Sequence, residues 1–184
     1  MYINSCYFIS LYMPYRIIAA MGRNFGIGHI STLPWDIPSD MRQFTKLTRG
    51  NGNNAIVMGR NTWDSMACSP LRGRANIVIS SNPAKVANAG ATAGIATSIP
   101  GVLEMCANRN YDDVWIIGGG LIYEQFLHKV ACDSCHLTHI DDEYPADVFF
   151  PMDLIREKWI TESILTLSDN PKVEQHIMIP GDTL

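Results

Sequence analysis

Apolar positions in this chain cluster in short runs divided by glycine, proline, asparagine and serine, a pattern that predicts strands alternating with helices. Residues 16–21 read as a strand buried on both faces in the middle of a sheet, because the run is almost continuously apolar. Residues 55–58, 76–79 and 114–117 read as further strands, and 92–96 as at most a weak one. Met41, Phe44 and Leu47 recur at the three-residue spacing of a buried helical face, so a helix is expected from the Pro38–Asp40 turn to the breakers at 49–53. A short helix carrying Trp63 and Met66, a connecting helix at 101–106 and a helix carrying Ile122, Tyr123, Phe126 and Leu127 follow in turn. Residues 135–140 alternate polar and apolar, as a half-buried strand should. Residues 159–167 and 173–179 read as strands joined by turn formers at 168–172, an antiparallel hairpin. Residues 22–33 lack periodicity and read as a long mobile loop, which in a small domain is usually functional. The expected architecture is a single α/β domain with a mixed, mainly parallel sheet and about four flanking helices.

Composition narrows the class. A chain of 184 residues with 47% hydrophobic and 17% charged residues suits one globular domain with a sizeable core. The net charge of -4 and the lack of a Lys/Arg run exclude nucleic acid as the main partner. No apolar run approaches the ~20 residues that cross a bilayer, so no membrane association is expected. Five cysteines without framework spacing suit a reducing compartment, hence the cytoplasm, and Cys132 and Cys135 lack the second pair or histidines of a zinc site. His136 and His139 fall on opposite faces of their strand, so no metal site is expected. The chain reads as a monomer, with residues 1–14 an N-terminal extension, its first twelve residues poorly ordered and preceding a natural start of the protein at Met13, and residues 15–180 the folded domain.

Two features carry chemistry. The stretch from Leu33 to Phe44 sets Asp40 among Trp35, Met41 and Phe44 where a helix begins. The helix dipole there favours the anion, while desolvation raises its pKa. A carboxylate so placed can hold a flat donor pair such as an amidine edge through two parallel hydrogen bonds; it can equally be a plain helix-start acid. The second feature is a repeated strand end: Gly59, Arg60, Asn61 and Thr62 after the second strand, Ser80, Ser81 and Asn82 after the third, and Gly118, Gly119 and Gly120 before a helix. Helix-start N-H groups beside a guanidinium suit an anion, although each end alone is compatible with a simple turn. Together they suggest one extended anionic ligand such as a dinucleotide, without the G-x-G-x-x-G fingerprint of a standard Rossmann domain.

The ordered set Ala19-Ala20, Ile27-Gly28, Leu33-Pro34-Trp35, Ile37-Pro38-Ser39-Asp40, Met58-Gly59-Arg60-Asn61-Thr62-Trp63, Gly73-Arg74, Ile117-Gly118-Gly119-Gly120-Leu121-Ile122-Tyr123 and Leu137-Thr138-His139-Ile140-Asp141 resembles dihydrofolate reductase over residues 15–179. The resemblance implies an eight-stranded sheet, NADPH as hydride donor and 7,8-dihydrofolate as acceptor, with hydride passing to C6 and a proton to N5. It implies catalytic roles for Asp40 as the active-site acid, Thr138 as support of that carboxylate or of the pterin amino group, and Trp35 as holder of an ordered water. It implies substrate walls at Ile18, Ala20, Met41, Phe44, Met66, Leu71, Ile117 and Tyr123, and a grip by Arg74 on the α-carboxylate of a glutamate tail. On the cofactor side it implies Ala20, Ile27, Gly28, Gly59, Arg60, Asn61, Thr62, Ser80, Ser81, Asn82, Ile117, Gly118, Gly119, Gly120, Leu121, Ile122 and Tyr123, a cis Gly118–Gly119 bond, antifolates as inhibitors, and closure of the 22–33 loop over the nicotinamide. Asn61 and Leu121 stand where relatives often carry basic residues, which bears on phosphate affinity and on preference for NADPH over NADH. A riboflavin-pathway reductase of the same fold and a non-catalytic nucleotide-binding module are the rival readings; Asp40 following Trp35 and Pro38, together with Arg74, argues against the first, and the second would have no need for an acid facing the nicotinamide pocket.

Overall fold

The apolar runs become the middle of a sheet. The computed structural model describes residues 13–86 and 93–181, so the expectations for residues 1–12, including the start at Met13, lie outside the described residues. In chain order the elements are β1 (Tyr15–Met21), β2 (Gly26–Gly28), α1 (Pro38–Arg49), β3 (Ala55–Gly59), α2 (Arg60–Ser65), β4 (Ala75–Ile79), β5 (Gly94–Ala96), α3 (Ile99–Ala107), β6 (Val114–Gly118), α4 (Gly120–Lys129), β7 (Ser134–Ile140), β8 (Val148–Phe149), β9 (Trp159–Asp169) and β10 (Lys172–Pro180). Eight strands form one sheet in the order β5-β4-β3-β6-β1-β7-β10-β9. From β5 to β7 every neighbouring pair is parallel, and β10 runs antiparallel to both β7 and β9.

Alternation along β1 sends Ile17 to one face and Ile18 to the other. Ile17 joins Val57, Ile116, Leu137, Val102 of α3 and Phe126 of α4 in one apolar cluster. Ile18 joins Ile56, Met58, Trp115 and Trp63 of α2 in a second, against which Phe44 and Leu47 of α1 pack. Helices thus cover both faces of a mainly parallel sheet, as such sheets require. α1 stops where the sequence breaks, at Gly50, whose φ of 50° favours glycine and whose N-H donates to the Lys46 carbonyl.

Several expectations need correction. The 22–33 segment is not wholly loop, because Gly26–Gly28 pairs with Val148–Phe149 as a separate two-stranded ribbon. Strands of two and three residues are too short to show alternation. β7 is buried on both faces rather than half-buried, because Cys135 and Leu137 point into the first core cluster and Thr138 and His136, on the other face, find partners in Gln175 and Ser134. Met41 is 48% exposed and does not continue the face of Phe44 and Leu47. Met66 follows α2 instead of lying on it, and the weak strand begins at Gly94. The hairpin turn is tighter than expected, with the strands running to Asp169 and from Lys172. Cys68, Cys106, Cys132 and Cys135 are unpaired, and among the described residues no group of three His, Cys, Asp or Glu side chains is placed to hold a metal.

Candidate active site

The site lies where two neighbouring strands part. β1 and β6 pair only from Tyr15 to Ile17, whereas β1 and β7 stay paired to Met21. Beyond Ile17 the Ile18 carbonyl accepts from the Tyr123 hydroxyl of α4 at 2.8 Å. A crevice outside the carboxyl ends of parallel strands is the usual ligand site of an open α/β sheet.

On one side of this crevice stands Asp40, third residue of α1 and 8% exposed. Burial pushes its carboxyl above the usual carboxylate range, and a hydrogen bond from Thr138 of β7 partly opposes that rise. Tyr123 is close enough for the Asp40 charge to add to the burial that holds its phenol protonated. Trp35 packs against Tyr144 at 5.3 Å between ring centroids, and its buried indole Nε1 has no hydrogen-bond partner among the described atoms. A buried donor left in that state suits a water or ligand acceptor.

The apolar wall is continuous with the second core cluster. Ile18 belongs to it, and Phe44, Met66, Leu71 and Ile117 are partly buried against it, so five of the expected substrate residues come together. Arg74 reaches the same wall: its guanidinium lies 5.9 Å over the Phe44 ring, and Nη1 donates to the Thr48 hydroxyl. Burial and the Arg49 charge lower the pKa of Arg74, a strain on the cation that an incoming carboxylate would relieve. Sequence reading missed Asn76, which holds this loop by accepting from the Leu71 N-H at 2.9 Å and donating to the carbonyls of Leu71 and Arg74 at 3.0 and 2.9 Å. A buried amide inside an otherwise apolar strand is the signal that marks it.

On the other side, β4, β3 and β6 are parallel neighbours, so all three polar strand ends open on the same edge. The Gly118–Gly119 bond is cis, and α4 begins at Gly120 with no side-chain cap. Gly118 has φ +101°, and a Cβ there would meet the Tyr123 ring at 2.8 Å, so only glycine fits. A Cβ on Gly119 would lie 3.6 Å from the Thr62 hydroxyl, one on Gly59 3.0 Å from Ile122, and one on Gly120 2.8 Å from the Phe149 carbonyl. Gly59, Thr62, Gly119, Gly120 and Ile122 therefore form one cradle, and the β2–β8 ribbon brings Ile27 and Gly28 to its rim. The periphery is less committed. Arg60 is ion-paired with Asp64 at 2.7 Å, Ser80 is hydrogen-bonded within its own turn to Asn82, and Asn61, Ser81, Asn82 and Leu121 are exposed, Leu121 by 66%. Ala20 lies half-buried near the end of β1 with Trp35.

A dihydrofolate reductase family model matches residues 15–178. The chain belongs to the dihydrofolate reductase family. It is 37% identical to the dihydrofolate reductase of Buchnera aphidicola over 151 residues, which are 81% of this chain and 86% of that one. It is 34% identical over 148 residues to the bifunctional dihydrofolate reductase-thymidylate synthase of Daucus carota, covering 75% of this chain but 28% of the carrot protein. The chain thus spans about a quarter to a third of the bifunctional relatives it matches. The dihydrofolate reductase of Enterococcus faecalis, solved in complex with NADP(H) and RAB-propyl, superposes with a TM-score of 0.80 at 26% identity, covering 92% of this chain and 97% of that structure. The eight-stranded mixed sheet and its antiparallel final strands are the fold of that family.

Proposed function

We propose that residues 15–180 form a monomeric, cytoplasmic reductase domain that converts 7,8-dihydrofolate to 5,6,7,8-tetrahydrofolate with NADPH. The observation that carries the reading is Asp40: one desolvated carboxylate, hydrogen-bonded to Thr138, beside a glycine cradle that a nucleotide phosphate would fill. Family membership supports the same reaction over the riboflavin-pathway alternative. The chain's free thiols fit a reducing compartment, and among the described residues no helix is long and apolar enough to cross a membrane.

The residues present fit the cofactor. Gly119, Gly120, Leu121 and Ile122 would hold the pyrophosphate at the uncapped start of α4. Gly59, Arg60, Asn61, Thr62, Ser80, Ser81 and Asn82 would hold the adenosine phosphate. Ala20, Ile27, Gly28, Ile117, Gly118 and Tyr123 would line the nicotinamide pocket. When bound, NADPH supplies the hydride taken up at C6 of the pterin. Asp40 pairs with the amidine edge of the pterin and promotes protonation of N5, and its raised pKa lets it carry a proton nearer neutral pH than an ordinary carboxyl does. Thr138 orients that carboxyl, and the unpartnered Trp35 Nε1 holds a water beside it. Ile18, Phe44, Met66, Leu71 and Ile117 wall the substrate, with Met41 at the open side. Arg74 receives the α-carboxylate of the glutamate tail, a bidentate task suited to guanidinium.

Following NADPH absorbance on addition of dihydrofolate, with and without a 2,4-diaminopyrimidine antifolate, tests the reading. An antifolate-sensitive fall is expected. No fall with folded protein would overturn it.

A further inference from the structure

Beneath Asp40 the sheet and α1 share a short polar chain. Gln175 of β10 is 1% exposed and sits opposite Thr138 in the β7–β10 ladder, so both side chains lie on the α1 face. Gln43 Nε2 donates to Gln175 Oε1 at 3.0 Å, and Gln175 Nε2 donates to Thr138 Oγ1 at 3.4 Å. The Thr138 hydroxyl in turn hydrogen-bonds the Asp40 carboxylate. Because Thr138 accepts from an amide N-H, its single proton is left for Asp40. Reversing the Gln175 amide alone would face two NH2 groups at Gln43 and turn a carbonyl to Thr138, drawing that proton away.

We propose that Gln43 and Gln175 are positioning residues, a two-amide relay that fixes the Thr138 hydroxyl as a donor to Asp40. Burying the Gln175 amide under α1 is costly unless its partners are placed, and Gln43, itself only partly buried, supplies one of them. Here each amide is placed in line, and donors in series reinforce one another. The relay itself stands on this geometry. Its consequence for catalysis rests on Asp40 being the acid of the proposed reaction.

Among the described residues, burial and the Thr138 hydroxyl are the influences that set the Asp40 carboxyl, with no charged partner beside them. The Tyr123 phenol of α4 feels its charge while donating its own proton to the Ile18 carbonyl, and β7 offers Thr138, with neutral His136 two residues earlier on the same face, edge-on to Trp115. Glu174, His176 and His139 alternate to the opposite face of β10 and β7. On α1 itself Arg42 and Lys46 are exposed.

The test is a carbon-13 NMR titration of the Asp40 carboxyl in the full chain, the resonance identified by its loss in Asp40→Asn. Gln175→Met should raise the midpoint by about 0.5 pH unit, the scale of one net hydrogen bond. Gln43→Met should raise it less. Gln175→Glu should raise it most, by about one unit or more, because its carboxylate accepts the Thr138 proton and adds a like charge. An unchanged or lowered midpoint in folded Gln175→Met overturns the relay, since a merely structural role would change stability and not the titration. If that variant does not fold, an unchanged midpoint in Gln43→Met overturns it instead. Should the midpoints rise while the pH dependence of NADPH oxidation stays put, the relay stands and Asp40 is not the acid. Should Asp40→Asn abolish that pH dependence while the glutamine variants leave the midpoint alone, the acid stands and the relay falls.

Discussion

The two walls of the crevice are built to different degrees. The Asp40 wall is closed by the fold itself: Asp40 of α1, Thr138 of β7 and Gln175 of β10 are buried and linked in series through the Thr138 hydroxyl. The glycine wall is built at its centre, where Gly118 and Gly120 leave no space for a Cβ, and unfinished at its rim, where Arg60 is held by Asp64 and Leu121 faces solvent. A buried acid must be held in place before any ligand arrives, because an uncompensated carboxylate in an apolar pocket is costly. Exposed charges can wait for theirs, since solvent screens them meanwhile. Substitutions on the first wall should therefore alter chemistry, and substitutions on the second should alter affinity.

The largest expected effect is on the Asp40 wall. Asp40→Asn should slow hydride transfer at neutral pH about a hundredfold or more, as for loss of a positioned acid, while NADPH binding measured by fluorescence stays near native. Arg74→Leu should weaken dihydrofolate about tenfold to a hundredfold, the range for a charged hydrogen-bonded contact, and hardly affect a pterin without the glutamate tail. Equal losses for both ligands would remove Arg74 from the tail site. Gly120→Ala puts a methyl 2.8 Å from the Phe149 carbonyl, so the ribbon must shift; titration should show NADPH affinity down about tenfold with dihydrofolate affinity unchanged. Asp64→Ala frees Arg60 from an exposed ion pair worth at most about 1 kcal/mol, so NADPH should bind up to about fivefold tighter. A fall in NADPH affinity instead would mean that Asp64 orients Arg60 for the phosphate.

These contrasts were unequally legible in the chain. β1, β3, β4, β6, α1 and α4 announce themselves through periodicity and breakers, and the glycine turn through its composition. β2 and β8 do not, because their pairing is fixed by the approach of residues about 120 positions apart and not by local pattern. The alternation of β7 suggested a solvated face, but Thr138 and the Nε2 of His136 find their hydrogen-bond partners, Gln175 and Ser134, inside the protein. Gln43 and Gln175, 132 positions apart, each read alone as an ordinary polar residue, and only tertiary contact makes them a pair. Met41 continues the helical spacing of Phe44 yet is half exposed, because spacing specifies a direction from the helix and not whether another element covers it there.

The rate of hydride transfer from NADPH to dihydrofolate, measured from about pH 5 to about pH 9 in the native chain and in Asp40→Asn, bears most directly on the buried acid. With Asp40 as the proton-supplying group, the native rate should fall by about tenfold per unit above a pKa higher than that of an ordinary carboxyl, because the protonated form is lost there, and the variant should be slow at pH 7 without that break. A variant with the native rate and the native break would place the proton source elsewhere.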